Sequence, residues 1–292
     1  MTLPTRPFAR VFSEDIMLHK YSLTALIVAA ELALTIGSAR AFDDSKYPDW
    51  SGQWLRPSGV GTQWDQTKPS GLAQQAPLTP EYQARLTASI ADQARGGQGD
   101  DNRVSCITAG MPRIMTATFE LVVLPAVTYV YGEGNMPRRI YTDGRSFPTN
   151  EEPTLMGYSI GKWIDEDGDG KYDVLEVETR NFKGPRTYEN SGMRLHNDGA
   201  SVIKERFFLD KANPGLLRIE LTTIDHALTR PWTVLKTFRR EGNVVWAEYE
   251  CSESNNHVMV GKEDYYLSAD GYLMPTRKDQ PPPDARYFKA AK

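Results

Sequence analysis

The sequence predicts a mainly β protein: an antiparallel meander closed into a lipocalin-like barrel, with a two-layer β-sandwich as the alternative, and one N-terminal helix. Three observations carry this. Short runs rich in β-branched and aromatic residues follow one another between residues 113 and 267, divided by Gly, Pro, Asn or Asp turns. Helical start and stop signals occur once, ahead of those runs. About ten strands without intervening helices are too many for one open sheet facing water, so closure or a second layer is expected. A closed barrel of about eight strands leaves an interior able to hold one small ligand.

Taken in order, residues 1–41 read as an upstream extension and an export signal. His19 and Lys20 precede an apolar run, 21–37, and Ala39-Arg40-Ala41 fits the small-x-small cleavage rule, with Met17 as an alternative start to Met1. A retained membrane anchor is the competing reading, but the run is short and contains Glu31. The expectation is cleavage and a mature chain that is periplasmic or secreted, with no membrane contact afterwards. A net charge of −4 gives no reason to expect nucleic acid or an anionic membrane as partner.

Residues 42–102 read as a Trp-rich arm plus a helix. Trp50, Trp54 and Trp64 sit among Pro, Gly, Ser and Gln, which suits an arm anchored across the main domain. Thr79 caps the helix, Pro80 takes its first position, and Gly96-Gly97 stop it. Tyr82, Leu86, Ile90 and Ala94 form a four-spaced docking stripe. The barrel domain spans 103–268. Its expected strands are 113–119, 121–123 with 127–131, 138–142, 158–164, 172–179, 201–209, 216–224, 232–239, 244–249 and 258–267, and an extended tail covers 269–292. Cys106 and Cys251, the two cysteines, are a disulfide candidate in an oxidising compartment; two buried thiols are the alternative.

Between strands 158–164 and 172–179 lies a full match to the twelve-position calcium loop. Asp165, Asp167, Asp169, Asp173 and Glu176 fall at positions one, three, five, nine and twelve, Lys171 at seven, and Gly170 at six. A hard cation wants several oxygens at once, and the glycine permits the turn that gathers them. The expected cofactor is Ca2+, held in a β-hairpin rather than a helix-loop-helix, with a solvated acidic turn as the alternative.

Alternation places two carboxylates toward the core. Glu205 shares a face with Ile203, Phe207 and Leu209, and Asp225 with Ile219, Leu221 and Thr223. A buried charge needs a partner, and Arg206 and Arg230 are the expected ones. With His226 beside Asp225, the functional reading is an acid/base cluster of Glu205, Asp225, His226 and Arg230; the structural reading is a buried salt-bridge network. Trp232, His196 and Arg206 are candidate ligand-binding residues. A transition-metal site on His196, His226 and His257 with Glu205 is conceivable, although no two of these stand at ligand spacing. Gly157-Tyr158-Ser159-Ile160-Gly161 matches a nucleophile elbow in letters only, since no helix follows it. Arg138-Arg139, Arg145 and 183–186 read as scattered, solvated basic spots.

These strings together resemble a widespread family of exported bacterial proteins. The likeness rests on LTPEY at 78–82, Cys106 with GMPR at 110–113, RRIYTDGR at 138–145, GYSIGKW at 157–163, VLEVET at 174–179, KERF at 204–207 and TRPW at 229–232. The resemblance implies export and a β-rich fold. The family carries no settled activity, so it transfers no catalytic residue. Its members resemble this chain less across the acidic loop, where a short Gly-Asp turn is usual, which implies a structural loop confined to a subgroup. The expected function is an exported, calcium-stabilised barrel that binds a small apolar or aromatic ligand. The alternatives are a periplasmic lyase or hydrolase acting through the acid/base cluster on an anionic substrate, and a structural envelope protein. Oligomeric state is left open.

Overall fold

The computed structural model describes residues 43–57, 64–69, 75–101, 106–132, 136–243, 245–246, 251 and 256–283. The expected export signal lies outside them, as does most of the expected strand 244–249 and the end of the tail. Nine strands close into one barrel: β1 (Gln53–Leu55), β2 (Phe119–Val123), β3 (Val127–Gly132), β4 (Arg138–Tyr141), β5 (Tyr158–Ile164), β6 (Val174–Arg180), β7 (Val202–Leu209), β8 (Leu216–Ile224) and β9 (Trp232–Glu241). The barrel alternative is the one adopted, and the sandwich is not.

Two features depart from a simple antiparallel meander. The pairing of β4 with β5 is parallel, Ile140 against Ser159 and Tyr141 against Ile160, so residues 142–157 must cross from one end of the barrel to the other. At this junction strands come close enough to demand glycine. A Cβ on Gly161 would lie 2.7 Å from Ile140 Cγ2 and 3.0 Å from Leu175 Cδ1. Closure, moreover, comes from the Trp-rich arm rather than the expected domain alone. β1 pairs with β2 on one side and with Arg239–Glu241 of β9 on the other. Further along β9, Gln66 covers the remaining edge: its N–H donates to the Leu235 carbonyl at 3.2 Å and its side-chain oxygen accepts the Thr237 N–H at 2.7 Å. Without that strap, β9 would present unpaired backbone groups.

The interior is filled by side chains. Period-two alternation turns Phe119, Leu121, Val130, Ile140, Val177, Ile203, Phe207, Ile219, Leu221, Val234 and Phe238 into one buried cluster. Trp50 and Trp54 join it from the arm, Trp50 packing 4.9 Å from Trp163 and 6.1 Å from Phe207. These two indoles, at 1% and 0% exposure, make the arm part of the core.

The expected first strand, 113–119, is instead a 3-10 turn over Arg113–Thr116, and the strand begins only at Phe119. Arg113 is held there by Asp101 and by Thr187, whose hydroxyl accepts from Nη1 at 3.1 Å. Helix α1 (Pro80–Gln93) follows the predicted Thr79 and Pro80 start, but the Thr79 side chain makes no cap. Its buried face is Tyr82, Leu86 and Ser89, whereas Ile90 is 50% exposed. At 100° per residue, i+7 returns to within about 20° of the starting face while i+8 drifts by about 80°, so a strict four-spaced stripe cannot stay buried. Residues 257–275 leave the barrel for a separate sheet of β10 (His257–Val260), β11 (Glu263–Leu267) and β12 (Leu273–Pro275). The expected single strand 258–267 is thus a hairpin, and the tail contributes its third strand. Cys106 and Cys251 form a disulfide with Cα atoms 5.6 Å apart. Among the described residues no helix is long and apolar enough to cross a membrane.

Candidate functional site

The expected acid/base cluster does not assemble, because its members have different partners in different places. Glu205 faces the interior as alternation predicts, but Arg138 from β4 grips it. Arg138 Nη1 donates to Oε1 at 2.9 Å, Nη2 to Oε2, and the remaining donors reach Ser159 Oγ at 3.1 Å and Thr179 Oγ1 at 2.9 Å. Both side chains are sealed from solvent. Such a bidentate pair, with its spare donors satisfied, is how a buried charge becomes tolerable. Ser159, the elbow look-alike, is one of those acceptors and is buried on a strand.

Asp225 is buried at the end of β8 with another arginine. Its Oδ1 accepts the backbone N–H of His196 at 2.9 Å and of Ala227 at 2.8 Å, Oδ2 accepts the Ser201 hydroxyl, and Arg186 Nη2 stands 3.9 Å away. Burial pushes the Arg186 guanidinium down to about 10, with Asp225 and Asp198 opposing the shift. The partners are therefore Arg138 and Arg186, not Arg206 and Arg230. Arg206 points outward, pairing with Glu166 in a ladder where Lys162, Glu176, Arg206 and Glu220 lie opposite one another across β5 to β8. Arg230 is exposed.

The three histidines divide. His196 and His226 come together at the rim of the barrel with ring centroids 5.7 Å apart, both beside Asp198. His257 is on β10 with Asp264, and Glu205 is deep inside. A four-ligand site of three histidines and Glu205 is excluded by that separation.

At the opposite end, the β5–β6 turn brings carboxylate oxygens of Asp165, Asp167 and Asp169 within 4.8 Å of one another. The backbone supports them: Gly168 and Gly170 N–H donate to Asp165 at 2.7 and 2.9 Å, and Lys171 N–H to Asp169 at 2.8 Å. Asp173 accepts from Glu166 N–H at 2.9 Å. Glu176 belongs to the charged ladder instead and is not among the converging oxygens. Tyr172, at position eight, turns inward onto Tyr47 at 5.1 Å and Trp163 at 6.1 Å, tying the loop to the core.

A further group of buried polar side chains lies inside the barrel near Trp232. The segment 186–195 folds back on itself and inserts Tyr188, which is 0% exposed. Its ring sits 4.9 Å from Trp232, which in turn meets Trp64 edge-on at 5.3 Å. Lys236 shares the inner face of β9 with Trp232, Val234 and Phe238. Its ammonium is 5.4 Å from the Tyr188 ring centre and donates to the Trp64 carbonyl at 3.4 Å. It forms no ion pair among the described residues. Desolvation holds it down to about 8, with Glu189 and Asp65 opposing. Burial likewise pushes the Tyr188 hydroxyl up, and Glu189, Asp65 and Glu205 add to it. The Tyr188 and Thr223 hydroxyls adjoin one another, and among the described residues neither bonds to any other group.

Sequence reasoning missed these residues unevenly. Arg138 shares a face with Ile140, and Lys236 with Val234 and Phe238, so the alternation that exposed Glu205 points to both. Arg186, Tyr188 and Asp198 lie in irregular chain and carry no such signal. The molecule is therefore a side-chain-filled β-barrel in which the Arg138–Glu205 pair is closed by hydrogen bonds and the Tyr188 and Thr223 hydroxyls near Lys236 are not. No protein family, curated protein or solved structure matches this chain.

Proposed function

We propose that this protein is an exported, calcium-stabilised β-barrel that binds a small ligand with an aromatic or apolar body and an oxygen-bearing head. One observation carries the reading. Among the described residues, the buried Tyr188 and Thr223 hydroxyls bond to no group but one another, beside a lysine that forms no ion pair, all within an aromatic wall of Trp64, Trp232 and Tyr188. Buried polar groups are rarely left unpaired, and each such group costs about 1–3 kcal/mol. A carboxylate or carbonyl offers acceptors to all three donors, and the aromatic wall suits a flat body. The groups are sealed by side chains, so a ligand enters only when Trp64 or the folded-back segment 186–195 moves aside.

Export agrees with the Cys106–Cys251 bridge, since such bonds persist in oxidising compartments. Calcium agrees with the three convergent aspartates, which repel one another unless a cation joins them. The deciding experiment extracts small molecules that co-purify with the full chain and identifies them by mass spectrometry, with Lys236→Met as the control. An aromatic or apolar acid enriched on the wild type and lost from the variant is expected; equal recovery from both would overturn the site. For calcium, chelator should lower the melting temperature of the wild type, and an unchanged melt overturns that part.

A further inference from the structure

At the rim of the barrel, on the end away from the acidic loop, two histidines and an aspartate point at one another. His226 follows β8, and His196 and Asp198 belong to the segment entering β7. One oxygen of Asp198, Oδ2, faces both imidazoles: it is 3.2 Å from His196 Nδ1 and hydrogen-bonded to His226 Nδ1. The other oxygen, Oδ1, is already engaged by the Ala200 N–H at 3.0 Å, which fixes the direction of the carboxylate. Donor atoms from the three side chains all lie within 4.8 Å of one another.

We propose that His196, Asp198 and His226 bind a divalent transition-metal ion of the zinc class. The donor set is the first argument. Two imidazoles and one carboxylate suit zinc and its first-row neighbours, whereas the all-oxygen set of Asp165, Asp167 and Asp169 suits a hard cation. The molecule thus carries two donor sets of different softness at opposite ends of one barrel. The second argument is how the ligands are held. Asp225, sealed beneath the rim, accepts the backbone N–H of His196 and that of Ala227, the residue after His226. One buried carboxylate therefore anchors both histidine-bearing segments, and Arg186 behind it balances the charge. Asp225 is a positioning residue here and touches no metal. Tyr82 from α1 packs 5.8 Å from the His196 ring and supports its orientation. The third argument is access. The side chains of His226 and Asp198 are 69% and 29% exposed, so an ion can enter and a fourth position is open to water or an exchangeable oxygen ligand.

On binding, the metal takes the lone pairs of both imidazoles and one carboxylate oxygen. Binding through His226 Nδ1 requires the ring's one proton to sit on Nε2, so the Nδ1 contact to Asp198 and the weak Asp198 N–H contact to His196 Nδ1 at 3.2 Å are given up.

The test titrates Zn2+ into the untagged full chain, metal-stripped beforehand, by calorimetry, with an excess of Ca2+ present so that the acidic loop does not compete. One equivalent is expected. His226→Ala, His196→Ala and Asp198→Asn should each weaken it by at least about tenfold, since even outer partners of a metal site are worth 10–100-fold. His226→Ala removes an exposed side chain, so its melting temperature without zinc should match the wild type while the zinc-induced rise disappears. Co2+ in place of Zn2+ should give a visible spectrum that His226→Ala abolishes. Zinc affinity unchanged in both His226→Ala and Asp198→Asn would overturn the assignment, as would a cobalt spectrum indifferent to them.

Discussion

Two polar groups share the interior of this barrel and have been treated oppositely. Arg138 and Glu205 meet face to face, and the guanidinium donors find Ser159, Thr179, the Met115 sulfur or the carboxylate. Around Lys236, Tyr188 and Thr223, the charge forms no ion pair and the two hydroxyls bond to nothing beyond one another among the described residues. Both sets are equally buried. The lesson is that burial of polar groups by itself does not mark function. A closed network costs nothing further and locks the strands in register, whereas an open one is a standing cost that a ligand can relieve.

The largest effect expected from breaking this contrast is on the closed side. Arg138→Met strips Glu205 of its partner in a water-excluded place and should cost about 3–5 kcal/mol in chemical unfolding. Adding Glu205→Met should restore most of the loss, because the pair as a whole roughly breaks even against apolar residues of similar volume. A double variant no more stable than the single one would mean that the pair contributes shape, not only charge balance.

On the open side the sign reverses. Burial holds Lys236 at about 8 when folded, against 10.5 for an unperturbed lysine. The unfolded chain therefore binds the proton more tightly, so its penalty is fully present below pH 8 and fades as pH rises toward 10.5. A gap of that size is worth about 3 kcal/mol. Lys236→Met should accordingly be more stable than wild type near neutral pH, and the difference should shrink between pH 8 and 10. Melting temperatures of both proteins across that range provide the check; a variant less stable at pH 7 would mean that the lysine is paid for by a partner inside.

The same contrast explains what could be read beforehand. The barrel, the helix start and the positions of Glu205 and Asp225 follow from alternation and from a proline at the first helical position, which are local signals. The parallel β4–β5 pair and the closure by Gln53–Leu55 are not legible, because three residues of an irregular arm become a strand only when two edges stand ready for them. Ion-pair partners fail for a related reason. Arg206 is near Glu205 in sequence yet on the other face, while Arg138 is 67 residues away and opposite it across the interior. Arg186 and Tyr188 come from a folded-back segment without periodicity, so alternation reaches Thr223 and Lys236 near Trp232 but not the tyrosine inserted beside them.

The smallest effect separates the two groups most cleanly. Ser159→Ala removes an acceptor of Arg138 Nε and a partner of Thr179 at 2.9 Å, and should cost on the order of 1 kcal/mol, as a lost buried hydrogen bond does. Tyr188→Phe removes a hydroxyl of similar burial that among the described residues meets only the Thr223 hydroxyl, so it should be neutral or stabilise by up to about 1 kcal/mol in the ligand-free chain. With ligand bound the order inverts: the hydroxyl then has an acceptor, and Tyr188→Phe should forfeit part of the ligand-induced rise in melting temperature while Ser159→Ala leaves that rise unchanged. Chemical unfolding of the two variants, with and without the co-purified molecule, reads both signs at once. A Tyr188→Phe protein that loses as much as Ser159→Ala without ligand would place its hydroxyl in a closed network too, and the interior would then be scaffold throughout.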